Sequence, residues 1–216
     1  MSTSSPPPLS GDSAALVIRA LLDFRSLWTT HDLVSTTGVE ASEVRAVIAQ
    51  LDQESLADRQ APGVVSVPSW LPLLRRWNQD FRFNRQTSLT YWRSRNRSQD
   101  LLDRIPATEV RHAVTGALAA QRWAPETPAG PPVIYTPDVH LAATEWDLIP
   151  SRKRTIVIAE TPTGLVYTRT RKTETGLRLA APSQVLADLL TGAAKTRSAA
   201  EPLIRWMLEH ELDWRY

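Results

Sequence analysis

The sequence predicts an α+β protein in two parts, and three observations carry that reading. Between His31 and Leu51 two short apolar-periodic runs, "HDLV" and "VRAVIAQL", hinge on Gly38. Between residues 106 and 216, strand-length runs such as "PPVIYTPD" and "RTIVIAE" alternate with helical ones such as "SQVLADLLTG". The net charge of +2 is also unevenly spread. Residues 1–67 carry four arginines against eight carboxylates, a net −4, whereas residues 68–105 carry eight arginines against three aspartates, a net +5.

The chain begins with a serine- and proline-rich stretch holding little to bury, so residues 1–11 are read as a disordered leader. From Ser13 the spacing of Leu16, Ile18, Leu21 and Leu22 predicts a helix capped by Asp12 or Ser13. Thr30 is expected to cap a short second helix around Leu33 and Val34. Gly38 ends that helix, because glycine takes the left-handed conformation that turns the chain sharply. A third helix, with Ser42 as its expected cap, buries Val44, Val47, Ile48 and Leu51. Behind it "SLADRQ" and "VVSVP" are short β-prone pieces joined through Pro62 and Gly63. Three helices followed by a hairpin is the order of a winged helix-turn-helix, assigned to residues 12–68.

In that reading the third helix enters the major groove and turns Ser42, Arg45, Ala46, Ala49 and Gln50 to base edges, with Thr30 nearby and Arg59 and Gln60 on the hairpin. Arg45 can make the bidentate guanine contact and Gln50 can address adenine. The competing reading is a protein-docking module, which the acidic balance of this part favours.

Residues 69–105 form an arginine- and aromatic-rich bridging segment. Trp70, Leu73, Leu74, Trp77 and Phe81 make one helical stripe, with Arg75 and Arg76 off it. Arg82, Arg85, Arg93, Arg95 and Arg97 are interleaved with Phe83, Tyr91 and Trp92, a mixture that suits phosphate pairing and base stacking, or equally a solvated face over buried rings. If the segment supplies phosphate contacts, a fragment ending at residue 68 binds DNA more weakly than one ending at residue 105.

Residues 106–216 read as a mixed α/β C-terminal domain. "EVRHAVTGALAAQRWA" is expected to be helical, and "LVYTRTRK" to be a strand presenting Leu165, Tyr167, Arg169 and Arg171 on one face, with Arg152, Lys153 and Arg154 completing a basic edge. "SQVLADLLTG" and "SAAEPLIRWMLEHELDW" are helical, the latter burying Leu203, Ile204, Met207 and Leu208.

The chemistry of a catalyst is not legible. Cysteine is absent, which excludes disulfides and thiolate metal sites. The four histidines, His31, His112, His140 and His210, lie at no metal-ligand spacing. Glu145 and Asp147 are the nearest approach to a carboxylate pair for Mg²⁺, and no glycine-serine loop precedes them. Neither an enzyme nor a cofactor or metal is expected.

The pieces "AVTGALAAQRWAP" (113–125), "VIYTPD" (133–138), "LAAPSQVLADLLTG" (179–192) and "SAAEPLIRWM" (198–207), following a winged helix, resemble the C-terminal domain of AbiEi-type antitoxins of type IV toxin-antitoxin systems. The matching positions are Thr115, Gly116, Ser183, Gln184, Asp188 and Leu189. Where the family often carries an RG-rich stretch before its last helix, this chain reads "KTRSAAE". The resemblance implies a cytoplasmic, nucleoid-associated transcriptional repressor that binds double-stranded operator DNA and regulates its own operon. A cognate nucleotidyltransferase-like toxin or a second copy is the further partner it implies, with no membrane involved.

Overall fold

In the computed structural model, which describes residues 9–80, 87–95, 98–153, 155–192 and 197–216 (backbone alone at 98–100), the chain is mixed α and β. It falls into two compact units, Met1–Phe81 with Glu211–Tyr216, and Arg82–His210. Among the described residues no helix is long and apolar enough to cross a membrane.

The first unit contains α1 (Asp12–Asp23), β1 (Trp28–Thr29), α2 (Thr30–Thr37), α3 (Ala41–Gln53), β2 (Asp58–Ala61), β3 (Val64–Ser66) and α4 (Trp70–Asp80). Its three strands form an antiparallel sheet in the order β1-β3-β2. The two-residue strand β1, which the sequence reading lacks, pairs Trp28 with Val65 and Thr29 with Val64. Helix α1 packs against α2, α3 and α4 and is buried nearly all round, including an Arg19–Asp23 ion pair at 2.9 Å. A helix apolar on every side belongs at the centre of a core.

The caps differ from those expected. Gly11 precedes α1 without a side-chain cap, so Asp12 sits inside the first turn. The cap of α2 is Thr29 rather than Thr30: its hydroxyl accepts from the Asp32 N–H while the Asp32 carboxylate accepts from the Thr29 N–H, which satisfies two donors at once. Glu40, not Ser42, precedes α3. Gly38 does end α2 in the left-handed region, at φ 71°.

Three further corrections concern what belongs to this unit. Leu9, assigned by sequence to the leader, is 2% exposed, and its N–H donates to Asp80 Oδ2 at 2.8 Å. The stripe Trp70, Leu73, Leu74 and Trp77 is buried core, so α4 completes the unit rather than bridging away from it; Phe81 lies outside the described residues. The chain's last residues return to the same core. Trp214 meets Trp70 edge-to-face at 5.0 Å, and the Arg215 guanidinium donates to the carbonyls of Leu21, Leu22 and Phe24 at 3.0, 2.8 and 3.1 Å. These carbonyls have no partner within α1, so a guanidinium there neutralises the negative end of the helix.

The second unit contains β4 (Ser88–Ser94), α5 (Ser98–Arg104), β5 (Ala113–Thr115), α6 (Gly116–Ala120), β6 (Val133–Thr136), α7 (Val139–Glu145), β7 (Leu148–Pro150), β8 (Ile156–Glu160), β9 (Arg171–Lys172), β10 (Arg178–Leu179), α8 (Pro182–Thr191) and α9 (Ala200–Glu209). Among the described residues its sheet runs β7-β4-β8-β6-β5-β10-β9. The β8–β6 and β5–β10 pairs are parallel and the others antiparallel. "SLTYWRS", read as part of a bridge, is therefore an integral strand, held between β7 and β8. Helix α8 packs on β5, α6 and α9.

Two helix and strand assignments are reversed here. The expected helix over 109–124 begins instead as extended chain and β5, with only Gly116–Ala120 helical. In "EVRH", Glu109 and Arg111 are exposed while Val110 and His112 are buried, a period of two that defines extended chain. Leu165–Tyr167, expected to be strand, is a 3₁₀ turn, so Leu165, Tyr167, Arg169 and Arg171 do not share a strand face. Leu208, expected in the core, is 53% exposed, since α9 buries only Ala200, Leu203, Ile204 and Met207.

Candidate nucleic-acid interface and a basic cleft

On α3 the residues Val44, Val47, Ile48 and Leu51 face inward, and this orients the opposite side to solvent. Ser42, Arg45 and Ala46 are exposed and Ala49 and Gln50 half-buried, so the five expected positions do line one face at helical spacing. Gln50 Nε2 donates to Glu54 Oε1 at 3.2 Å. Among the described residues Arg45 has no ion pair. Glu40 and Glu43 are exposed beside it at the start of the helix. Thr30, the first residue of α2, is half-buried.

The β2–β3 hairpin is exposed along β2, yet its polar groups are engaged. Arg59 pairs with Asp52 at 2.6 Å, and Gln60 Nε2 donates to Ser66 Oγ at 3.0 Å. An exposed pair of this kind contributes little to stability and can open toward a ligand.

Of the arginines between residues 75 and 97, Arg75 and Arg76 belong to the first unit and Arg93 and Arg95 to the second. Arg75 is exposed on α4. Arg76 is 11% exposed and clamped between Glu54, at 2.6 Å, and Asp80. Burial pulls the Arg76 guanidinium down, and its bonds to the two carboxylates outweigh that and hold it above its usual value. Arg76 is thus a structural cation, a correction to its expected phosphate role. Arg93 is exposed on β4, and Arg95 pairs with Asp147 at 3.0 Å. Arg82, Arg85 and Arg97, like Arg154 of the expected basic edge, lie outside the described residues. A fragment ending at 68 lacks α4 and Arg215, and one ending at 105 separates β4 from its partners β7 and β8, so each loses packing as well as arginines.

Three of the positions carrying the antitoxin resemblance, Thr115, Gln184 and Asp188, form a buried polar cluster in the second unit, together with Tyr135. Asp188 Oδ2 accepts from the hydroxyls of Thr115, at 2.5 Å, and Tyr135, at 2.9 Å, while Oδ1 accepts from Gln184 Nε2 at 2.8 Å. Gly116 follows Thr115 at φ 70°, and a Cβ there would come within 3.3 Å of Val133 Cγ2. The cluster ties β5 and β6 to α8 with every partner below 9% exposure. It is sealed from solvent, so its role is to hold the sheet and helix in register.

The sequence reading missed a cleft of 480 Å³ in the same unit, lined by Pro106, Thr108, Glu109, Val110, Arg111, His112, Tyr167, Thr170, Lys172, Gly176 and Arg178. Arg111 stacks over the Tyr167 ring at 4.1 Å. Tyr167's hydroxyl is buried without a partner among the described residues, and burial pushes it up to about 12, so it stays protonated. Under the cleft, His112 Nε2 accepts the Arg178 N–H at 3.2 Å and Nδ1 donates to the Val110 carbonyl at 3.0 Å. That pair of bonds requires the neutral imidazole. Burial, helped by the charge of Arg178, holds His112 below the usual histidine value against the pull of the Val110 carbonyl. The alternation in "EVRH" was the one available signal for Arg111; nothing in spacing joins it to Lys172 and Arg178, 61 and 67 residues further on.

No family model, curated protein or solved structure matches this chain.

Proposed function

We propose that this protein is a sequence-specific DNA-binding transcriptional regulator, a repressor of the antitoxin type, whose first unit is a winged helix-turn-helix. The observation that carries the reading is the outward face of α3, where Arg45 stands exposed and without an ion pair among the described residues, between Ser42 and Ala49. The element order α1-β1-α2-α3-β2-β3 and the β1-β3-β2 sheet support it, since they leave α3 free to enter a groove and place a hairpin beside it. The antitoxin part rests on the resemblance of the second unit, and the meeting of Thr115, Gln184 and Asp188 in one cluster supports it.

The test is a gel shift of the full chain on the DNA upstream of its own coding sequence, with Arg45→Ala beside it. A shift that random DNA does not compete away, and that Arg45→Ala removes, supports the reading. Equal loss on both DNAs makes Arg45 a phosphate contact. A second reading, a protein-docking antitoxin, draws on Glu40 and Glu43 at the head of α3 and on the first unit's net −4, seven arginines against eleven carboxylates over residues 1–81 and 211–216. Absence of any shift at low salt favours it, because an acidic unit with few free cations draws duplex weakly.

A further inference from the structure

We propose that the cleft between the 105–112 segment and the β9–β10 hairpin is a binding site for a small phosphomonoester. Arg111, Lys172 and Arg178 converge on it, and among the described residues none of the three has an ion pair. Glu109 is the one carboxylate in the lining. Three cations against one carboxylate leave a local charge of about +2, and like charges held this close repel until an anion joins them. A phosphate dianion matches that charge.

The site is also built. The 4.1 Å stack on Tyr167 fixes where the Arg111 guanidinium sits, so less freedom is lost when it binds. Pairing of β10 with β9, Arg178 opposite Lys172, sets those two cations side by side. The hairpin turn closes one end, with Gly176 at φ 88° so near Pro106 that a Cβ would lie 3.2 Å from it. His112 anchors Arg178 from beneath through the backbone N–H. Guanidinium forks and an ammonium are the groups that recognise phosphate oxygens. The volume of 480 Å³ suits a sugar phosphate or a mononucleotide. A concave pocket of that size admits a small ligand better than the convex backbone of a duplex, which could offer the same phosphate chemistry.

The inference is independent of the DNA reading, and its test uses a separate readout. Calorimetric titration of the full chain with ribose 5-phosphate is expected to show saturable binding, and ribose none. Lys172→Gln and Arg178→Gln, both at exposed side chains, are each expected to weaken binding about tenfold with an unchanged melting temperature. Lys172→Arg should retain it. The proposal is overturned if neither ribose 5-phosphate nor inorganic phosphate binds at concentrations up to about 10 mM, or if the glutamine variants bind as the parent does. It is equally overturned if a short duplex binds through Lys172 and Arg178 while no phosphomonoester does.

Discussion

The cations of the two units live differently. In the first unit Arg19, Arg59, Arg76 and Arg215 are each matched to a carboxylate, and Arg215 also covers three carbonyls at the end of α1, which leaves Arg45 and Arg75 on the surface of its helices. In the cleft of the second unit Arg111, Lys172 and Arg178 stand together with one carboxylate nearby. The difference teaches that arginine content is a poor guide to a binding surface. A guanidinium already held by carboxylates or carbonyls would have to break those bonds to meet a phosphate, and an unpaired one would not.

The largest effect that would break this contrast is at Arg215. Arg215→Ala should destabilise the first unit by about 3–5 kcal/mol, since it orphans three carbonyls and Glu211 at a residue that is 4% exposed. A urea melt followed by tryptophan fluorescence measures it, and a loss below about 1 kcal/mol would mean that water replaces the guanidinium freely. Next comes the buried carboxylate of the second unit. Asp188→Ala should lower stability by about 2–3 kcal/mol through the unsatisfied donors of Thr115, Tyr135 and Gln184, with Asp188→Asn recovering part of it.

A matched pair of substitutions then sharpens the comparison inside the first unit. Arg45→Ala should weaken specific DNA binding by about 1–3 kcal/mol at constant melting temperature. Arg76→Ala should do the reverse, lowering stability by about 1 kcal/mol through its half-buried pairs with Glu54 and Asp80. Equal effects of the two on gel shifts would dissolve the distinction between engaged and free arginines.

The smallest effect is on pH. His112 is held neutral in the fold, below its ordinary value of 6.5, so the unfolded chain binds its proton first. Its contribution is complete above pH 6.5 and is lost as the pH falls from there toward the lower native value. Melts of the second unit at pH 7.5 and 5.5 should therefore differ, and His112→Gln should flatten that difference. An unaltered pH slope in the variant would show that Arg178's N–H does not depend on a neutral ring.

Much of the first unit was legible because its signals are local. The inward set Val44, Val47, Ile48 and Leu51 follows from a period of 3.6, and the turn at Gly38 from a residue that tolerates positive φ. The same information placed Ser42, Arg45, Ala46, Ala49 and Gln50 on the opposite face. Short elements were the failures. β1 has two residues and β5 three, too few for any period to register, and the small residues of "AVTGALAA" serve a strand and a helix equally well.

Sequence alone determined which side of each long helix is apolar, where glycine permits a turn, and that no thiolate chemistry is possible. It also determined the total of cations, but not which of them are free. That was decided by tertiary structure, because pairing depends on groups brought together from distant parts of the chain: Arg215 on the end of α1, Arg76 on Glu54, and Arg111 across from Lys172 and Arg178. Burial and Coulomb attraction act over a few ångströms in space, and along the chain those partners stand about 20 to 190 residues apart.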